Sequence, residues 1–146
     1  MRRFLAAAAV VLAFAGCRQE FRVSGTITLA SSVHHKVPAE NSVIFVVAKN
    51  RGGVPIALHR IVNPQFPVSF MLTEEDLIVP SPRPDDPLSI EVEMNTHGSV
   101  GAPRAGDLEG SSPDAVFAGS RGVNVVIDRL IDGLAYNGPS RRRPAD

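Results

Sequence analysis

Residues 88–95 read Leu-Ser-Ile-Glu-Val-Glu-Met-Asn, with apolar side chains at 88, 90, 92 and 94 and polar ones at 89, 91, 93 and 95. Strict period-two alternation fits an extended strand with one buried face and is wrong for a helix. A slip of one residue would turn two glutamates inward, so the register of such a strand is well specified. Similar alternation recurs at Val23–Leu29, at Phe66–Thr73 and at Val123–Asp128. Val43–Ala48 is a continuous β-branched and aromatic run, short enough for a central strand. Ile56–Val62 follows the turn-forming Lys49-Asn50-Arg51-Gly52-Gly53 and stops at Asn63-Pro64.

The connections agree with this. Twelve glycines and twelve prolines favour turns over long helices. Residues 30–41 read as a connection with one helical turn near Ser31–Lys36. Thr73-Glu74-Glu75-Asp76 reads as a capping segment that the proline-rich 80–87 cuts short. Pro67 has no N–H to give to a ladder, so the strand it opens belongs at a sheet edge. Residues 96–122, rich in Gly, Pro and Ser, are expected to be a long loop of the functional or mobile kind. Six to seven strands at short spacing give an all-β chain, an antiparallel β-sandwich, with a small closed barrel as the alternative.

The first seventeen residues, MRRFLAAAAVVLAFAGC, have the grammar of an export signal: two arginines, an apolar run, then small residues. The run from Phe4 to Phe14 is too short for a hydrocarbon core of ~30 Å. The seventeen-residue stretch ends at Cys17, the only cysteine. Phe14-Ala15-Gly16-Cys17 resembles the lipobox of bacterial lipoproteins, with Phe14 in place of the usual Leu. That resemblance implies a cleaved signal over 1–16, lipid attachment at Cys17, and a chain held to a membrane facing the periplasm. Arg18, where a retention signal would place Asp, favours the outer membrane. The expected divisions are then a tether over 17–22, a β-sandwich domain over 23–131 and a disordered tail over 132–146, the last containing Arg141-Arg142-Arg143.

Without Arg2 and Arg3 the chain has thirteen basic and fifteen acidic residues, and nothing in their distribution suggests a nucleic-acid partner. With Cys17 carrying lipid, no disulfide can form. The absence of Trp and the single Tyr argue against an aromatic sugar platform. No catalytic set can be assembled. Ser111-Ser112 has no histidine at an informative spacing. Glu91 and Glu93 share one strand face about 7 Å apart and read as a solvated outer surface. His34-His35 reads as a solvated loop pair, and a blue-copper set is excluded because Cys17 is committed elsewhere. Asp107 and Glu109, between Gly106 and Gly110, are too few oxygen ligands for a calcium loop. No metal ligand and no cofactor is assigned.

Several pieces in fixed order carry a wider resemblance: Ser24-Gly25-Thr26-Ile27; Val43 to Lys49 with Gly52-Gly53-Val54-Pro55-Ile56-Ala57-Leu58; Phe66-Pro67-Val68-Ser69-Phe70; Gly98 and Pro103 ahead of Gly106-Asp107-Leu108-Glu109-Gly110; and Val125-Val126-Ile127-Asp128-Arg129. Together they resemble the periplasmic C-terminal domain of the CcmI/CycH-type cytochrome c biogenesis proteins. In that family the domain follows membrane helices and tetratricopeptide repeats, and the protein presents unfolded apocytochrome c to the haem-attachment machinery. Here the lipid-anchor signal stands in their place, and the Met-rich segment after the fourth strand is replaced by the Pro- and Asp-rich Leu77–Pro87. The haem-attachment motif C-x-x-C-H does not occur, so the chain is not itself a c-type cytochrome.

The resemblance implies a non-enzymatic, chaperone-like binding domain, an accessory of c-type cytochrome biogenesis with apocytochrome c or another envelope protein as partner. Strand addition at an exposed edge would suit such a domain, bordered by Pro67 or by Gly106, Asp107, Leu108 and Gly110. A structural envelope lipoprotein, or a haem- or metal-binding module using His34, His35 or His59, are the alternative functions.

Overall fold

The computed structural model describes residues 20–38 and 40–133. The signal segment, Cys17, and the tail from 134 onward lie outside the described residues. Seven strands form: β1 (Arg22–Leu29), β2 (Val43–Asn50), β3 (Pro55–Val62), β4 (Val68–Thr73), β5 (Leu88–Asn95), β6 (Leu108–Ser111) and β7 (Val123–Leu130). The only helical pieces among the described residues are two 3₁₀ turns, His34–Lys36 and Glu74–Asp76. Both fall where the sequence places helical turns. At the second, the Asp76 carboxylate accepts from the Thr73 N–H at 2.8 Å. Among the described residues no helix is long and apolar enough to cross a membrane.

The strands lie in one sheet ordered β3-β2-β5-β6-β7-β1-β4. The all-β expectation holds, but the layers are made by a single sheet rolled on itself. The turn after β4 nearly closes the roll. Leu77 bridges Ala57 of β3, and the Ile78 N–H donates to the Ile56 carbonyl at 2.9 Å. His59 Nδ1, on β3, meets Asp76 Oδ1 at 2.8 Å across the same junction.

All neighbouring pairs are antiparallel except β1 with β7, which run parallel from Gly25↔Val123 to Leu29↔Ile127. A Cβ on Gly25 would sit 2.0 Å from the Val123 carbonyl oxygen, so only glycine allows this approach. Within the roll, period-two alternation delivers the core. Ile44, Val46, Ile90, Val92, Met94, Val125, Ile127, Val23, Ile27, Phe70 and Leu72 all belong to one buried cluster. At ~25 cal/mol per Å² of apolar surface, this burial is the main stabilising contribution.

The segment 96–122 corrects the expectation of a long loop. It contains β6, which pairs with β5 on one side and β7 on the other. Without β6 the sheet would split in two. Leu108 is fully buried in the common core. Gly110 lies at a register shift in the β6–β7 ladder, where a Cβ would stand 2.2 Å from the Val126 carbonyl oxygen. The rest of the segment is also anchored: Val116 bridges Leu88, and the Gly119 N–H donates to the Arg22 carbonyl at 2.7 Å.

Candidate functional site

The outer face of β2 and β5 is only partly solvated: the Glu91 side chain is 45% exposed, whereas the rest of the face is largely covered. On β2 the odd residues Val43, Phe45 and Val47 point away from the main core, yet they are buried in a second apolar cluster with Leu58. Register places Phe45 between Arg60 of β3 and Glu93 of β5, and Val47 between Leu58 and Glu91. A groove of about 510 Å³ runs over this face. Val47, Leu58 and Ile78 give it apolar surface. Lys49, Glu91, Glu109 and Arg129 give it charge, and Val100 and Pro103 of the 96–106 connection form a wall.

The connection folds back over the strand because β5 ends in side chains that bind backbone. Asn95 Nδ2 donates to the Ser99 carbonyl at 2.8 Å and to Glu93 Oε1 at 2.9 Å. Asn95 Oδ1 accepts from the Gly98 N–H at 2.9 Å. Glu93 Oε2 accepts from the Gly101 N–H at 3.1 Å. From the other side, Asp107 Oδ2 accepts from the Arg104 N–H at 2.6 Å and meets His97 Nε2 at 3.0 Å. The Ser99 N–H reaches His97 Nδ1 at 3.3 Å. Glu93 is 9% exposed, Asn95 2% and Asp107 5%. The outward-facing Glu93, expected to be solvated, is therefore buried. Strand alternation shows which way a side chain points but not what a later loop lays over it.

Charge along the groove is only partly balanced. Lys49 pairs with Glu91, and Arg129 Nη2 lies 3.5 Å from Glu109 Oε2. Glu109 stands directly opposite Glu93 in the β5–β6 ladder. Its carboxyl is raised above the ordinary 4.5 by burial; Arg129 opposes the rise, the Glu93 and Glu91 carboxylates add to it, and Lys49 opposes it.

The residues picked out from the sequence separate in space. Pro67 is exposed just ahead of β4, an outermost strand of the sheet, as its missing N–H required. Gly106 is exposed, with φ +96°. Asp107 is buried, Leu108 faces the core, and Gly110 is pressed against β7. Leu108 therefore presents no side chain to a partner. Pro67 leads into the last strand of the order and β6 lies in the middle, so the two candidate borders lie on different strands. His34 and His35 are exposed, and His59 is engaged with Asp76. Neither Asn95 nor the His97–Asp107 contact carries a signal in the sequence. His97 stands four positions from Glu93 and ten from Asp107, spacings that mean nothing until the loop is folded.

Residues 23–128, the rolled sheet from β1 into β7, match the family described as the cytochrome c-type biogenesis protein H Ig-like domain. The chain belongs to that family. The match begins and ends within a few residues of the described strands and includes β6, which sequence pattern alone places in a loop. A protein of Aquifex aeolicus (strain VF5), described only as uncharacterized, is 29% identical over 111 residues, covering 75% of this chain and 72% of its own length. No solved structure matches the chain.

Proposed function

We propose that this chain is a membrane-tethered, non-enzymatic accessory of c-type cytochrome assembly whose Ig-like domain holds an extended segment of another envelope protein. The observation that carries the reading is family membership over residues 23–128. The physical route is strand addition along β4. This strand pairs with β1 on one side, through Arg22↔Thr73 to Ile27↔Val68, and no described strand pairs with its other side. Met71, about half exposed, gives that edge an apolar contact. Main-chain hydrogen bonds supply affinity in such pairing, and alternate side chains supply selectivity.

The tether in this reading is lipid on Cys17, the residue that follows the cleaved export signal. Acyl chains gain ~0.8 kcal/mol per buried methylene, so more than one chain is needed for lasting attachment. The anchored domain then faces the periplasm, with apocytochrome c as the candidate partner. A photo-crosslinking residue in place of Ser69, in the full chain in its native envelope, is expected to capture an apocytochrome or a haem-attachment component. Deleting the chain is expected to lower mature c-type cytochromes. Unchanged cytochrome levels together with no such crosslink overturn the role. Mass spectrometry showing an unmodified Cys17 overturns the anchor.

A further inference from the structure

Glu93, His97 and Asp107 come from three different places: the end of β5, the connection after it, and the turn into β6. Their ligand-capable atoms all lie within 4.8 Å of one another. Hydrogen bonds alone could explain such a cluster, but its charge is not explained that way. Two carboxylates, 9% and 5% exposed, sit together. Among the described residues no Lys or Arg forms an ion pair with either; Asp107 has His97 and the Arg104 backbone N–H, and Glu93 has only N–H donors. A third carboxylate, Glu109, lies directly across the ladder from Glu93, an arrangement that is destabilising for like charges. Buried charges in proteins are paired or bind metal, and here an additional cation is what the cluster lacks.

We propose that Glu93, His97 and Asp107 form a binding site for a divalent first-row transition ion, Zn²⁺ being the best match. One imidazole nitrogen with two carboxylate oxygens is a borderline donor set that suits zinc better than calcium or magnesium, which prefer oxygen alone. Three protein ligands leave a position for water or a partner's side chain. Closing from 4.8 Å to the spacing set by bonds of ~2.0–2.2 Å takes only a small movement, and His97 lies on the connection that would make it. Coordination through Nε2 places the imidazole proton on Nδ1. The contact from the Ser99 N–H, the longest in the group at 3.3 Å, is the one that opens. The ion would tie β5, the 96–106 connection and β6 together, fixing the wall of the groove that Val100 and Pro103 line. The inference stands independently of the proposed role in cytochrome assembly.

Calorimetric titration of the detergent-solubilised full chain with Zn²⁺, and optical titration with Co²⁺, test it. The expected result is one equivalent of ion bound per chain, with affinity reduced about tenfold or more by His97→Ala and by Glu93→Gln. Replacing both His34 and His35 with Ala leaves it unchanged, and Ca²⁺ binds at least about tenfold more weakly. Bound Zn²⁺ also slows amide exchange over residues 98–106. Glu93→Gln keeps the side chain's shape and one of its two acceptor oxygens, so it remains informative if His97→Ala does not fold, with circular dichroism confirming the sheet. The absence of saturable Zn²⁺ binding overturns the proposal. So does one-equivalent binding that survives both substitutions, or binding lost only in the His34/His35 variant.

Discussion

The two faces of the β2–β5 pair are covered by different means, the inner one fully and the outer one in part. The inner face is covered by the same sheet rolling round, so Ile44, Val46, Ile90 and Val92 meet strands that alternate as they do. The outer face is covered by an irregular connection, held down by the carboxylates of Glu93 and Asp107 and the amide of Asn95. Apolar burial there is confined to Val43, Phe45, Val47 and Leu58 beside an open groove. A face covered by matched strands gains stability from packing. A face covered by a loop depends on satisfying backbone N–H groups, and it can open without unfolding the sheet.

The sharpest test of this contrast compares one residue from each face. Ile44→Ala is expected to cost about 4 kcal/mol, because it leaves a cavity in a core that cannot collapse. Val47→Ala, beside the groove, should cost about 1.5 kcal/mol, close to the transfer value of the atoms removed. Denaturant melts of the two variants decide it, and equal losses would show that the outer face is a second core. Next in size is Gly110→Ala, about 3 kcal/mol, since the new methyl meets backbone of β7 and not a movable side chain. A variant that melted like the parent would mean that β6 can shift away from β7.

Glu93→Ala leaves the Gly101 N–H and the Asn95 amide without their acceptor, an expected loss of about 2 kcal/mol. Most of the change should appear as faster amide exchange in 98–106, with β2 and β5 still protected. Exchange that rose equally across the sheet would put Glu93 in the same cooperative unit as the core.

The smallest effect concerns Glu109. Its carboxyl is raised in the folded state, so the folded chain keeps that proton to higher pH than the unfolded chain does. Stability therefore falls as pH climbs from the ordinary glutamate value through the raised one. Glu109→Gln should flatten that slope and leave the protein slightly more stable at neutral pH; Arg129→Ala should steepen it. Melting temperatures over about pH 4 to 7 report both, and a slope untouched by Glu109→Gln would assign it to another group.

Strands that carry their own pattern were legible in the chain. Residues 88–95, 23–29 and 123–128 needed only alternation, and Pro67 announced the edge it precedes. β6 was not legible, because Leu-Glu-Gly-Ser is four residues long, contains glycine and sits among turn formers. It is a strand because β5 and β7 flank it and supply ladders on both sides. The outer site was hidden for a related reason. Glu93 reads as a surface residue from its own strand, and only the return of Gly98–Gly101 buries it. The parallel β1–β7 pair depends on a single cue, Gly25, whose need is visible only once Val123 lies against it.

That parallel pair has a mechanical consequence. Because β1 and β7 run the same way side by side, the entry to β1 at Arg22 and the exit from β7 at Leu130 point toward opposite ends of the pair. Tension between those two points acts along the strands, so the hydrogen bonds from Gly25↔Val123 to Leu29↔Ile127 are loaded together in shear and cannot be peeled one at a time. A domain tugged by a neighbour while fastened near β1 would resist as a clamp does, yielding abruptly at high force.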